Sequence, residues 1–478
     1  MPKSVSLAPP NLMIDNVFRS GTKFTAFCKV PVRWWRCYSA EAVEAWWWEA
    51  NARQSLAKVC PETIHKRSVV RTGEIKALSG LRIVAAVWVV LFHFRPLLEQ
   101  ASPGFRSALA PILNCGAQGV DLFFMLSGFV LTWNYLERMG ESFSWRATLH
   151  FLWLRLARVW PVYLVTMHLA ALWLVFTLHV GHIPPEPWQL DGFNAIGYVR
   201  QALMIQLWFV PFFDGSSWDG PAWSISAEWL AYLLFGVLIL IIFRVARSTR
   251  ARSLVALAFI ATLPPILLLL ASGHFYTPWS WLPRIVMQFT AGALVCAAVR
   301  KLQPSDRARL GTGYCALILL GAIVAILYAL DAHPIPKILD GAGVVDILFV
   351  PLLFTLAIGT GGLPWLLSFR PIVYLGHISF SLYMVHELVH QSWIWTTRQF
   401  GLLIFPDVAG KFTVIGLLAI AVVGAMLLYH GVEEPARRWM RGMMGRGSEP
   451  QHDSVSGKLQ PIHGVPEDPT QGVSARAG

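Results

Sequence analysis

Charged residues are scarce in this chain of 478 residues: Asp, Glu, Lys and Arg make up 14% of it, whereas 55% of the residues are hydrophobic. That balance excludes a string of ordinary soluble domains. Apolar runs long enough to cross a bilayer, which takes about 20 residues, instead recur from Leu78 to His430. The sequence therefore predicts an all-α, polytopic membrane protein, because helices satisfy their own backbone hydrogen bonds in lipid.

Paired cysteines and an N-terminal leader pattern are also missing. The six cysteines show no Cys-x-x-Cys pair and no regular spacing, which argues against a disulfide framework and a cysteine metal site. The first 20 residues have no apolar run of the kind found in cleavable signal peptides, so we expect the first span to direct insertion. The net charge of +12 comes from short clusters between apolar runs, which indicates membrane topology and no nucleic-acid partner.

Hydropathy predicts about ten transmembrane helices in one bundle. Their expected ranges are 78–98, 116–136, 160–180, 222–243, 254–272, 282–300, 313–331, 341–361, 372–392 and 411–430. Lys and Arg concentrate in alternate connections, so the positive-inside rule predicts a multi-pass protein of the cell membrane with both termini in the cytoplasm. The short apolar segment 196–212 contains Pro211 and is interpreted as re-entrant or interfacial.

The chain divides into three segments by composition. Residues 1–72 carry clusters of Trp and Arg, which predict either an interfacial amphipathic segment or a poorly ordered extension. Residues 73–442 form the transmembrane domain. Residues 443–478 are rich in Gly, Pro, Ser and Gln, and this composition predicts a disordered cytoplasmic tail.

Several ionisable residues fall inside the predicted spans, where each costs a few kcal/mol and therefore needs a partner, a cavity or a function. Counted along the helices, five of them lie about 7–9 Å below the outer boundary: His93, Asp121, Glu228, Asp346 and His386. A neutral imidazole near a carboxylate is a natural general base. We therefore predict His93 as the base, with Asp121 or Glu228 orienting it. Ser127, deeper in the second span, is interpreted as a helix-packing residue.

Three arginines mark the opposite side of the predicted bundle. Arg82 lies one turn inside the first span, about 16 Å from His93 by helix rise, and Arg155 and Arg158 lie one turn apart just before the third span. Guanidinium groups bind phosphate through paired hydrogen bonds, so this cluster favours a polyanionic ligand. The alternative is that they anchor the helices at the cytoplasmic boundary, although Arg82 lies too deep for an anchor.

Two other classes of protein remain open from the residues alone. The sequence from His386 to His390 matches the His-Glu-x-x-His pattern, in which both histidines bind zinc and Glu387 serves as base, as in an intramembrane metalloprotease. Asp340-Gly341 supplies a third ligand in that hypothesis, although it precedes the histidines, the reverse of the protease order. Polar residues in spans also suit a solute transporter or flippase, which predicts an internal repeat that the sequence does not show.

Several motifs in fixed order resemble those of the membrane acyltransferase-3 family, whose members modify surface polysaccharides, glycolipids and some macrolides. The motifs are LSGLR at 78–82, LFH at 91–93, GVDLFFMLSGF at 119–129, RLAR at 155–158 before WP at 160–161, WSISAE at 223–228 and SFSLYMVH at 379–386. Ten residues separate Arg82 from His93, as in the family. The similarity extends from Ile75 to Trp439.

The resemblance implies a membrane O-acyltransferase with ten core helices. It implies acyl-CoA, in the simplest case acetyl-CoA, as the cytoplasmic donor, and a hydroxyl of a carbohydrate, glycolipid or similar envelope molecule as the acceptor. His93 is then the essential base with Glu228 and Asp121 beside it, while Arg82, Arg155 and Arg158 bind the donor or organise its site. It also makes His386 a family position, and no metal is expected.

Overall fold

The computed structural model describes residues 73–180, 192–213, 215–336, 338, 341–402 and 404–444. The expectations for residues 1–72 and for most of the predicted tail, from residue 445 onward, lie outside these ranges. The described residues all belong to one compact unit. Every regular element within the described ranges is helical, which confirms the all-α prediction.

The helices are numbered here in chain order. They are α1 (Lys76–His93), α2 (Arg95–Ala101), α3 (Pro103–Ala108), α4 (Ala110–Leu113), α5 (Gln118–Met139), α6 (Trp145–Val180), α7 (Ala195–Ala202), α8 (Trp223–Ser248), α9 (Ala251–Ser272), α10 (Trp281–Arg300), α11 (Asp306–Ala332), α12 (Asp346–Ile358), α13 (Gly362–Leu367), α14 (Arg370–Phe400), α15 (Val408–Leu428) and α16 (Glu434–Met443). Single 3₁₀ turns occupy Gln206–Phe209, Gly220–Ala222 and Gly341–Val345, and a π-helical turn occupies Tyr429–Glu433.

Within the described ranges, nine helices are long and apolar enough to cross a membrane. The predicted span 341–361 is realised differently, as a 3₁₀ turn followed by the 13-residue helix α12. The helix alone rises only about 20 Å, less than the roughly 30 Å of a hydrocarbon core, and the 3₁₀ turn before it adds about 10 Å. Gly361, with positive φ, ends this segment, and α13 begins at Gly362.

Two helix boundaries differ from the prediction in ways that affect the site. The helix α1 ends at His93 and not near residue 98, because Pro96 has no N–H to donate to the carbonyl of Phe92 and starts the new helix α2. The helix α6 begins at Trp145, so Arg155 and Arg158 lie inside it rather than before it. Pro161 is accommodated within this helix.

Glycines let pairs of helices approach until their backbones touch. A methyl group built on Gly128 of α5 would lie 1.9 Å from the carbonyl oxygen of Phe289 on α10, and one on Gly292 would lie 1.9 Å from that of Met125. These reciprocal contacts confirm that Ser127-Gly128 belongs to a small-residue packing surface. Because helix backbones this close leave no room for a side chain, α5 and α10 form the tight centre of the bundle.

A glycine also brings the backbones of α1 and α14 into contact. A methyl group on Gly376 would lie 1.9 Å from the carbonyl oxygen of Ser79. Beside this contact, Ser79 and His377 both donate hydrogen bonds to Glu74, at 2.5 and 2.8 Å. The His377 hydrogen bond is the main cause that lowers the pKa of the Glu74 carboxyl to about 2, so Glu74 is ionised at neutral pH. The start of α1 is thereby fixed against α14.

We expect Gly128→Ala to destabilise the protein by about 1–3 kcal/mol, because the added methyl group must push α5 and α10 apart. Gly416→Ala on α15 is the matched control, since a methyl group there meets no atom within 4 Å. Thermal unfolding of the detergent-purified variants measures the difference. Equal unfolding temperatures for the two variants would show that α5 and α10 can move apart at little cost in stability.

Candidate functional site

His93 and His386 meet where α1 and α14 run side by side. The Nδ1 of His93 lies 2.9 Å from the carbonyl oxygen of Val89 and 3.2 Å from the Nε2 of His386. A carbonyl oxygen can only accept, so the hydrogen of His93 lies on Nδ1 and its Nε2 keeps a free lone pair. Since this nitrogen is the basic one, His93 is held in the tautomer that a general base requires.

Glu387 lies beside this pair of histidines. It accepts hydrogen bonds from Gln391 at 2.6 Å and from the Nδ1 of His390 at 3.3 Å. Donor and acceptor atoms of His93, His386 and Glu387 lie within 4.8 Å of one another. We call His93, His386, Glu387 and His390 the histidine end of the bundle.

The zinc hypothesis expects His386 and His390 to converge on one ion while Glu387 stays free. In the structure His390 is hydrogen bonded to Glu387, and the group compact enough to hold an ion consists of His93, His386 and Glu387 instead. This arrangement differs from that of a His-Glu-x-x-His protease, in which the glutamate is not a ligand. Asp340, the third ligand of that hypothesis, lies outside the described residues, and within them the geometry offers no zincin centre at this pattern.

An aromatic wall connects the histidine end to α8. The ring of Tyr383 packs against His386 and Phe123, with centroids 5.8 and 6.0 Å apart. Its hydroxyl donates to the carbonyl of Pro221 at 3.0 Å and lies 2.8 Å from the Oγ of Ser224. Since Pro221 and Ser224 lie at the start of α8, Tyr383 fixes this end of α8 to α14.

Asp121 has a partner that the sequence interpretation did not identify. Arg284 of α10 donates from Nε to Oδ1 at 3.0 Å and from Nη2 to Oδ2 at 2.6 Å, and both side chains are fully buried. The fork geometry of this contact is the strongest that a carboxylate and a guanidinium can make. A buried arginine inside a predicted span was the signal for it, because such a charge must be paired.

The pair extends to Asp346. Gln288 donates to Asp346 at 2.9 Å, and the Gln118 amide, oriented to satisfy both of its groups, donates to Asp121 and Asp346 at 3.2 Å each. Two of the five residues predicted at one depth thus form a single network around Arg284. Among the hydrogen bonds of the described residues, none joins Asp121 to His93, so its orienting role stays a prediction.

Glu228 lies just over one turn into α8. It accepts a hydrogen bond from Ser127 at 2.5 Å and interacts electrostatically with Arg82. Ser127 therefore has a polar partner as well as its place on the packing surface. The structure brings Glu228 together with the predicted donor-binding residues, whereas its predicted contact with His93 is not among the hydrogen bonds.

The three predicted arginines form the arginine end of the bundle, together with Glu228 and Glu433. Arg158 pairs with Glu433 at 2.7 Å, and Glu433, fully buried in the π-helical turn, also accepts from Ser381 at 2.8 Å. Arg82 lies in the electrostatic field of Arg158, Glu228 and Glu433. Sequence reasoning missed Glu433, whose signal was an acidic residue at the end of the last predicted span.

Arg155 packs against aromatic rings inside the bundle. Its guanidinium lies 5.9 Å from the rings of Tyr135 and Phe151, and its buried Nε has no hydrogen-bond partner among the described residues. Three partly buried guanidinium groups face two carboxylates here, which leaves one positive charge in excess. Such an excess suits an anionic ligand and is unlike a set of solvent-facing anchors.

Comparison with known proteins identifies relatives. A family model described as an acyltransferase domain, that of the acyltransferase-3 family, matches residues 75–430. The chain is 26% identical over 403 residues to Acyltransferase MdmB of Streptomyces mycarofaciens, covering 77% of this chain and 93% of the relative. It is 29% identical over 207 residues to Protein 2 in picA locus of Rhizobium radiobacter, covering 41% of this chain and 94% of that protein. No solved structure matches.

We expect Arg284→Met to destabilise the protein by about 3–5 kcal/mol, because it leaves Asp121 and Asp346 buried without a cation. The double variant Asp121→Leu/Arg284→Met should unfold at a higher temperature than Arg284→Met alone, since it removes one uncompensated carboxylate as well. Thermal unfolding of both proteins measures this. A double variant no more stable than the single one would contradict the pairing.

Proposed function

Because the chain belongs to the acyltransferase-3 family and is therefore a membrane O-acyltransferase, we propose that it moves an acyl group, acetyl in the simplest case, from cytoplasmic acyl-CoA to a hydroxyl of a carbohydrate, glycolipid or similar envelope acceptor. The observation that carries the proposal is the tautomer of His93, whose Nδ1–H is held by Val89. That arrangement leaves a basic nitrogen free at one end of a bundle whose other end carries excess positive charge.

In the proposed reaction, the histidine end provides the base and the arginine end holds the acyl donor. The Nε2 of His93 takes the proton of the acceptor hydroxyl while the hydroxyl oxygen attacks the carbonyl carbon of the thioester. The tetrahedral intermediate collapses with cleavage of the C–S bond, and His93 returns the proton to the departing CoA thiolate. Binding the two substrates in one bundle makes the attack effectively unimolecular, so no covalent acyl-enzyme is needed.

The donor belongs at the arginine end. CoA carries phosphates, for which guanidinium groups are the preferred protein ligands, and the buried Nε of Arg155 has no hydrogen-bond partner among the described residues. Arg82 and His93 lie about 16 Å apart along α1. The flexible pantetheine arm of CoA can cover such a distance, so it brings the thioester to His93 while the phosphates stay with the arginines.

The orientation in the membrane follows from the distribution of positive charge. The last turns of α5, α8 and α10 contain Arg138, Arg247 and Arg300, which lie at the same end of the bundle as Arg82. The positive-inside rule places this end in the cytoplasm of a cell membrane, with the histidine end toward the outer face. The donor then enters from the cytoplasm and the acceptor from the outer side.

We predict that His93→Ala lowers acyl transfer by a factor on the order of 10²–10⁴, the range for loss of a general base, while the protein still folds. His179→Ala is the matched control, because the Nδ1 of His179 makes the same contact with the carbonyl four residues earlier, at 2.8 Å, but on an exposed face. Transfer of labelled acetyl groups by purified protein measures both. Near-normal activity of His93→Ala would remove the base from the mechanism.

Arg155→Ala should raise the KM for acyl-CoA with little change in kcat, since it removes a donor contact made equally in the ground and transition states. Arg146→Ala, an exposed arginine earlier on the same helix, is the control. Arg158→Ala is less informative because it leaves Glu433 buried without its cation. An unchanged KM in Arg155→Ala would return this residue to the class of helix anchors.

Sidedness provides a third test of the proposal. In sealed vesicles of known orientation, labelled acyl-CoA is supplied to the arginine side and a membrane-impermeant acceptor to the histidine side. We expect transfer in this arrangement and none with the two substrates exchanged. Transfer that requires both substrates on the arginine side would contradict the trans-bilayer route while leaving the acyltransferase assignment intact.

A further inference from the structure

Glu387 is a buried carboxylate for which the mechanism above has no role. It is fixed in place by Gln391 and His390 and lies within 4.8 Å of the ring nitrogens of His93 and His386. The other acidic group close to it is Asp219, which is also buried and precedes the 3₁₀ turn at Gly220–Ala222. A buried charge is costly unless it has a compensating function or partner.

The hydrogen-bond directions show what His386 does. The Nδ1–H of His93 points to the Val89 carbonyl and to the Nε2 of His386, so His386 Nε2 accepts and its own hydrogen lies on Nδ1. His386 is fully buried, and its ring packs against that of Tyr383. Each turnover converts His93 to an imidazolium, whose Nδ1–H bonds more strongly to this acceptor.

The imidazolium also needs a negative charge, because a bilayer interior provides little solvation for it. The charged and titratable groups around Glu387 are His93 from α1, Asp219 from the segment before α8, and His386 and His390 from α14 itself. Asp121 and Glu228, which the sequence suggested for this task, are bonded to Arg284 and Ser127. Glu387 is therefore the carboxylate that the fold places beside the reacting base.

We propose that His386 and Glu387 are positioning residues for His93: His386 accepts its Nδ1–H, and Glu387 supplies the counter-charge for the imidazolium formed during acyl transfer. The catalytic part of this inference rests on the proposed function. The underlying electrostatic coupling, however, exists in the protein whether or not substrates are present. Proton affinity at His93 is therefore a readout that does not depend on acyl transfer.

The experiment compares wild type with Glu387→Gln, which keeps the shape of the side chain and removes its charge. Diethyl pyrocarbonate reacts with an imidazole only in its neutral form. The modification rate of His93 at a series of pH values, followed by peptide mass spectrometry, therefore gives the midpoint of its titration. We expect this midpoint to fall by about 1 pH unit or more in the variant, because an opposite charge at this distance stabilises the protonated form. The exposed His179 in each sample is the internal reference.

Kinetics on the same variant tests the catalytic meaning. We expect kcat to fall at least tenfold with the KM for acyl-CoA unchanged, the acid limb of the pH–rate profile to move to lower pH, and Glu387→Asp to restore most of the loss. Glu99→Gln is the control, since Glu99 is an exposed carboxylate that pairs with Arg106 and has no part in the site. In this control the titration midpoint of His93 and the pH–rate profile should equal those of wild type.

Four results separate the possibilities. An unchanged His93 midpoint in Glu387→Gln overturns the proposal, and so does an equal or larger shift in Asp219→Asn. Stoichiometric bound metal that is lost in Glu387→Gln would replace it with a metal site at the same three residues. A shifted midpoint without any acyl transfer in wild type would confirm the coupling and refute the proposed function. If Glu387→Gln fails to fold, His386→Leu decides, because loss of the acceptor must also lower the midpoint.

Discussion

The contact between the backbones of α1 and α14 determines most of what the site can do. Gly376 has no side chain, so its helix reaches the carbonyl of Ser79, and the two helices then remain adjacent up to His93 and His386. The Glu74–His377 hydrogen bond secures the same pair near the start of α1. A residue with a side chain at position 376 would separate the helices and with them the two imidazoles. Helix packing and catalytic geometry are in this sense one constraint.

Buried charge shapes the rest of the bundle. Asp121, Arg284 and Asp346 form one network, and Arg158 with Glu433 forms another pair, each joining helices that are distant in the sequence. In lipid such groups find no water to replace a lost partner, so each network fixes the relative position of its helices. The excess of one guanidinium at the arginine end is the exception, and it is the position where an anionic donor is expected.

Hydropathy predicted the helical class and nearly all of the span positions, because length and apolar content alone decide whether a helix fits a bilayer. The differences are at 341–361, whose first turn is 3₁₀ and not α-helical, and at the end of α1, where proline overrides hydropathy. Depth counting correctly placed His93 with His386, and Asp121 with Asp346. It could not assign partners, since rotation about a helix axis is invisible to a count of residues. The sequence therefore predicted that Glu228 contacts His93, whereas in the structure Glu228 lies with Ser127 and Arg82.

The π-helical turn at Tyr429–Glu433 has a consequence for insertions and deletions. A π turn holds one residue more than an α turn, and this surplus residue rotates everything after it by about 100° relative to an uninterrupted helix. Glu433 reaches Arg158, and Met440 reaches α6, only with that rotation in place. Removing a single residue here would restore ordinary helix geometry yet turn Glu433 away from Arg158. This short segment should therefore be far less tolerant of length change than the loops around it.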